Sequence, residues 1–145
     1  MFLLGGASMV LLASALVHPN GPVKATRSNE PILARAEIDP AVKAMLERSC
    51  QNCHSEKTDW PIYSYIAPMS WVVEGDVSQA RTHMNLSHWG DYSLEEKEQP
   101  LASIGAVVRS GKMPPARYTA IYTDAKLSVE DSARIYEWAT LNDAV

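Results

Sequence analysis

The sequence predicts an all-α domain with long loops. Three observations carry that reading. Apolar residues recur at three- and four-residue intervals in separate stretches, and each of those stretches opens on a capping residue. No stretch alternates apolar and polar residues as a half-buried strand would. The 145 residues fit one domain, and 46% hydrophobic with 21% charged residues is a globular composition, neither disordered nor collagen-like.

The chain opens on an apolar head. Phe2 to Val17 reads FLLGGASMVLLASALV, sixteen residues without a charge. As a helix it would reach roughly 24 Å, short of a hydrocarbon core of roughly 30 Å. Residues 1–24 are therefore expected to be a signal peptide or an N-terminal membrane anchor. Ala13-Ser14-Ala15 supplies the small-x-small pattern that signal peptidase cleaves. Only the α-amino group precedes the run, whereas a signal peptide carries a basic n-region, so the true start is expected upstream of Met1. Residues 25–38 read as a linker of Pro, Asn, Ser and charges with no apolar period. The domain proper is expected over 39–145.

Charge follows the same division. Lys24 to Ala36 carries three basic residues against Glu30, a net +2, and Glu37 to Val145 carries ten Lys/Arg against sixteen Asp/Glu, a net −6. The whole chain stands at −4, which provides no basic footprint for nucleic acid.

Asp39-Pro40 opens the first helix, with Asp as N-cap and Pro at the first helical position, where its missing N–H costs nothing. Val42, Met45, Leu46, Ser49, Cys50 and Cys53 then share one face. Ser70 is expected to cap a second helix, with Val73, Val77, Ala80 and Met84 on one side. Ser93-Leu94-Glu95-Glu96 is a capping box for a third, whose face is Leu94, Leu101, Ile104, Val107 and Val108. Pro100 should kink or split that helix, and Gly111 should stop it. Ser128 with Asp131 opens the last, with Ser132, Ile135, Trp138 and Ala139 inward. Two long loops remain, Ser55 to Met69 and Lys112 to Lys126. Loops of that length in a small domain usually wrap something functional.

Only two cysteines are present, too few for a disulfide scaffold. Cys50-Gln51-Asn52-Cys53-His54 is instead the attachment signature of a c-type haem. Two thiols about one helical turn apart can add across the two vinyl groups on one edge of the porphyrin. The next residue then lies under the iron, so His54 is the expected proximal ligand. A redox CxxC would sit near a βαβ pattern, and none is visible. A zinc site would need His83 and His88, but 29 residues separate Cys53 from His83, against roughly 12–15 in a zinc finger. A plain disulfide leaves His54 unexplained.

For the sixth ligand the candidate is Met113, in Ser110-Gly111-Lys112-Met113-Pro114-Pro115, 59 residues after His54. Prolines hold this segment out of a helix, and a soft thioether favours ferrous iron and raises the potential. Met69 is the runner-up, and His83 and His88 are the histidine alternatives. Met45 and Met84 lie on helix faces and read as core. Trp60, Tyr63, Tyr65, Trp71 and Trp89 are candidates to line the haem crevice. Arg81, Arg109 and Arg117 are candidates to pair with haem propionates.

SCQNCH with MPP resembles class I cytochrome c. The string from Ser49 to Pro114 more specifically resembles the bacterial haem-binding domain proteins, small exported or membrane-anchored c-type proteins. The matching pieces are Ser49-Cys50-x-x-Cys53-His54-Ser55, Thr58-x-Trp60-Pro61-x-Tyr63, Ile66-Ala67-Pro68-x-Ser70-Trp71, Asp76-Val77, Asn85-x-Ser87-x-Trp89 and Ser110-Gly111-x-Met113-Pro114-Pro115. Met69 and Leu86 depart from it, standing where Val and Phe are expected. The resemblance covers roughly the whole exported domain. It implies cytochrome c-like helices wrapped around one covalently attached haem c per chain.

The function expected from these readings is periplasmic electron transfer by a monohaem cytochrome with His54/Met113 ligation. Its partner would be a redox protein, basic if it docks on the acidic surface, with no nucleic acid and no membrane contact beyond an uncleaved N-terminal segment. The alternative is a haem-based sensor or peroxidase-type protein with a displaceable sixth ligand. No separate acid/base pair for peroxide cleavage is visible, so the chain reads as a carrier and not an enzyme.

Overall fold

The computed structural model describes His18, residues 31–34 and residues 36–142. The apolar head and its cleavage pattern lie outside these residues, apart from His18. Among the described residues there are six α-helices and no strand. The all-α expectation holds. No helix among them is long and apolar enough to cross a membrane.

Helix α1 spans Pro40–Ser49, and Asp39 caps it by accepting the Ala41 N–H at 2.7 Å. Val42, Met45, Leu46 and Ser49 are buried. The single helix expected through Cys53 bends at Cys50 (φ −121°, ψ −29°), and a short helix α2 follows over Gln51–His54. The bend does not open the chain: Cys50 N–H bonds Leu46 O, and His54 N–H bonds Cys50 O, both at 2.9 Å.

Helix α3 spans Met69–His83. Ser70 is not its cap. It lies inside the first turn and is buried, with its N–H bonded to Ile66 O at 3.0 Å. Pro68 occupies the cap position and offers no side-chain acceptor. Helix α4 spans Leu94–Arg109 and begins with the reciprocal Ser93/Glu96 capping box. Leu101, Ile104 and Val108 are buried, but Leu94 is 70% exposed and does not belong to the face assigned to it. At the first position of the helix it lies nearly two turns before the first buried residue, Pro100.

Pro100 does not split α4. It is buried within a continuous helix, despite the N–H it removes and the crowding of its ring against the preceding turn. Gly111 does stop it. At φ +68° it adopts the left-handed conformation, its N–H bonds Val108 O at 3.1 Å, and Lys112 N–H bonds Val107 O at 3.0 Å. This pair of bonds is the Schellman termination.

A short helix α5 (Ala116–Thr119) and a 3-10 turn (Thr123–Ala125) interrupt the second long loop, as a 3-10 turn over Ile62–Tyr65 interrupts the first. Helix α6 spans Val129–Asn142. Ser128 and Asp131 cap it reciprocally, each backbone N–H bonding the other's side chain at 3.0 Å.

The core forms where α4 packs along α6 and α1 closes against α6. At the α4–α6 contact a Cβ added to Gly105 would lie 3.3 Å from the Tyr136 ring, so any side chain there would displace it. Ile32 and Leu33, in the stretch read as linker, are also buried in this core. Leu33 N–H bonds Leu86 O at 2.9 Å. Ile135 on α6 is fully buried. Ile135→Ala is expected to cost about 2–5 kcal/mol, read as a lowered denaturation midpoint at unchanged slope.

Candidate functional site

The site is built on α2 and its N-cap Cys50, which together carry both thiols and the imidazole within about one turn. Cys50 and Cys53 are unbridged and half-buried. The bend at Cys50 leaves it against the core, where it packs on the apolar cluster. Burial, reinforced by Cys53 and opposed by Arg48, pushes the Cys50 thiol up to about 12. Burial is also the largest cause of the upward shift at Cys53, with Asp76 adding to it and Arg117 and Arg81 opposing.

His54 donates its Nδ1–H to the carbonyl of Met84, the residue that ends α3, at 3.2 Å. A carbonyl can only accept, so the bond assigns the tautomer and leaves Nε2 with its lone pair. Burial, the largest cause, pushes the His54 imidazole below the usual histidine range, against the upward pull of the Met84 and Ala80 carbonyls. The neutral, metal-binding form is the one favoured.

The spacer residue Asn52 joins the two sides of the site. Its Nδ2 donates to the Tyr118 hydroxyl on α5 at 2.8 Å, and its Oδ1 accepts the Asp59 N–H at 3.1 Å. Arg117, also on α5, forms a two-bond pair with Asp76 of α3, its shorter bond 2.6 Å. Tyr118 stacks on Tyr122 with centroids 4.7 Å apart. Met113 lies between the Schellman turn and these ties, its side chain 37% exposed.

The other candidates separate by environment. Met45 and Met84 are in the core, as read. Met69 is exposed at the start of α3. His83 bonds a carbonyl of its own helix, Gln79 O, at 2.9 Å, and His88 bonds Asp91 at 3.2 Å; both are exposed. Trp89 is a core residue, 3% exposed and packed on Trp138 and Tyr92. Trp60 and Tyr63 are half-buried, and Tyr65 and Trp71 are exposed. Each of the three arginines has a partner within the protein. Arg109 lies over the Tyr136 ring at 4.9 Å, Arg117 pairs with Asp76, and Arg81 binds the loop after His54. Among the described residues no three His, Cys, Asp or Glu side chains gather where they could hold a metal ion.

The donor set fits a c-type haem. Two free thiols are spaced for two thioethers, and the adjoining imidazole has one nitrogen fixed by the backbone and the other available. Ile62, Ile66, Met113 and Ile121 on the two loops, with Met69 and Val72 at the start of α3, leave large apolar side chains in solvent, surface of the kind a porphyrin face covers.

These titrations predict a stability profile. A thiol raised above its ordinary ~8.5 keeps its proton in the folded chain, so the stability it contributes is present below ~8.5 and lost as pH rises through about 12. A lowered imidazole acts at the other end: below ~6.5 the unfolded chain takes up the proton first, and stability falls with pH. Thioethers do not titrate. The alkaline loss is expected in the haem-free chain and absent from the haem-loaded one, as urea unfolding across that range would show.

Comparison with known proteins points to a haem protein. A family model described as haem-binding domain matches residues 9–141. The cytochrome c peroxidase Ccp of Escherichia coli (strain K12) is 29% identical over 108 residues, which is 72% of this chain and 23% of that protein. The chain thus spans less than a quarter of the length of that relative. No solved structure matches.

Proposed function

The chain belongs to the haem-binding domain family, and from that premise we propose that it is a monohaem c-type cytochrome that transfers electrons in the periplasm or at the periplasmic face of the inner membrane. Cys50 and Cys53 hold one haem c through thioethers, His54 Nε2 is the proximal ligand, and Met113 is the distal ligand. The observation that carries this reading is the His54 imidazole, with Nδ1 committed to the Met84 carbonyl directly after two unbridged thiols.

Haem iron, when bound, supplies a one-electron ferric–ferrous couple. The chain's own residues do the rest. Cys50 and Cys53 would hold the cofactor beside α2, with Cys50 itself packed on the core. The Met84 carbonyl holds the ring of His54, and a ligand held in this way needs little rearrangement between oxidation states. Gly111 and the Asn52–Tyr118 bond fix the two ends of the segment that carries Met113. The net −6 from Glu37 to Val145 suits a basic redox partner, with a docking rate that falls as salt rises.

A second reading is favoured by the relative from Escherichia coli and by the exposure of Met113: a peroxidase-type or sensor protein whose sixth ligand is displaced. Visible spectra of the oxidised and reduced protein, with and without carbon monoxide, separate the two. A low-spin haem indifferent to CO, with the methionine–ferric charge-transfer band, supports the carrier. Immediate CO binding by the wild-type ferrous protein moves the assignment to the second reading. A matured protein without covalent haem overturns both.

A further inference from the structure

Arg81 lies on the last turn of α3, in the stretch that also supplies the carbonyl for His54. Its side chain crosses to the loop that leaves α2. Nε donates to Ser55 O at 3.0 Å, Nη2 donates to Thr58 Oγ1 at 3.0 Å, and Nη1 pairs with Glu56 at 3.0 Å. The other Glu56 oxygen accepts from Asn85 Nδ2 at 2.8 Å, and Glu56 N–H donates to Ser87 Oγ at 3.0 Å. Thr58 Oγ1 in turn donates to Asn52 O, inside the cysteine spacer, at 2.7 Å.

These bonds close a ring. One arm runs from His54 through Ser55 and Glu56, the other from Arg81 through Met84 and Asn85, and the His54–Met84 bond completes it. With Arg81 19% and Glu56 21% exposed, the pair is shielded well beyond an ordinary surface ion pair.

We infer that Arg81 is a positioning residue for the proximal histidine: its guanidinium fork locks the loop after His54 to the end of α3 and so sets the Nδ1–H···O bond to Met84. The inference rests on the reading that His54 ligates haem iron. Outer hydrogen bonds to a ligating imidazole fix its orientation and raise its basicity. A looser bond makes His54 a poorer donor to ferric iron, and the potential rises. Lysine keeps the charge but cannot serve Ser55, Thr58 and Glu56 at once.

The test is the midpoint potential of the haem-loaded protein. Arg81→Lys should move the ferric–ferrous equilibrium about tenfold toward ferrous, equivalent to about 59 mV for one electron. Ser87→Ala changes no charge and removes only the Glu56 N–H acceptor, and it should shift the potential the same way by less. Should Arg81→Lys fail to fold, Ser87→Ala decides alone. Lowered melting temperatures with wild-type potentials in both variants would make Arg81 merely structural and overturn the inference, as would a fall in potential. A wild-type protein with covalent low-spin haem in that same experiment confines the failure to Arg81. A wild-type protein without haem overturns the functional reading and this inference together.

Discussion

Replacing Cys50 and Cys53 together by alanine is expected to give a chain that loses its haem in denaturing electrophoresis and melts far below the wild-type holoprotein. Cysteine and alanine are both small, so the substitution itself removes little packing even at Cys50, which touches the core. What it removes is permanence. A tethered haem cannot dissociate, whereas a free one stabilises only as its concentration exceeds its dissociation constant. A ligand at a thousand-fold excess contributes about 4 kcal/mol, and dilution removes it. That is a large part of the roughly 5–15 kcal/mol by which domains are stable. Each single variant keeps one thioether and is expected to retain haem on the gel. Retention of haem by the double variant would show that attachment lies elsewhere.

The raised Cys50 thiol is a weak nucleophile once the chain has folded, because the thiolate is the reactive form. Haem loading is therefore expected before α1 and α2 close on the core. Haem supplied to the already folded apo-chain should attach slowly, and brief unfolding in reductant should restore the rate.

The parts of this molecule legible in the sequence are those set by neighbours in the chain. Asp39, the Ser93/Glu96 box and the Ser128/Asp131 pair each cap a helix within a few residues, and Gly111 satisfies a positive φ in place. The gathering of Cys50, Cys53 and His54 on one turn is legible for the same reason, since their spacing sets it. Features that depend on distant partners were not legible. Ser70 resembles a cap by type, yet α3 starts a residue earlier and buries it. Ile32 and Leu33 have no apolar period around them, and only their burial in the folded chain shows them as core. The acceptor for His54 is a backbone carbonyl, which every residue possesses, so residue type marks nothing at Met84. By residue type Arg81 is a propionate candidate, because a guanidinium suits any carboxylate. Its actual carboxylate is Glu56, 25 positions back along the chain.

Met113→Ala is expected to open the haem iron to an external ligand. The thioether is a soft ligand that stabilises ferrous iron, so its loss should lower the potential and abolish the methionine–ferric charge-transfer band. CO binding by the ferrous form should go from negligible to stoichiometric. Proximal attachment through Cys50, Cys53 and His54 is untouched, and covalent haem content should stay at the wild-type level. The size of the effect follows from how the segment is held. Upstream, Lys112 and Met113 N–H groups both bond Val107 O, at 3.0 and 3.3 Å; downstream, Tyr118 is tied to Asn52 and Arg117 to Asp76. Neither tie involves the Met113 side chain, so alanine should leave the segment in place and open only the coordination position. Tyr118→Phe provides the complementary case. It keeps Met113 but deletes the hydroxyl that accepts from Asn52, a bond whose net value is about 1 kcal/mol. CO binding should then accelerate about fivefold if loss of that bond is felt wholly in the opening of the methionine. An unchanged spectrum in Met113→Ala would transfer the ligand role to Met69, exposed at the start of α3. Wild-type CO kinetics in Tyr118→Phe would show that the Schellman turn and the Arg117–Asp76 pair hold the segment without it.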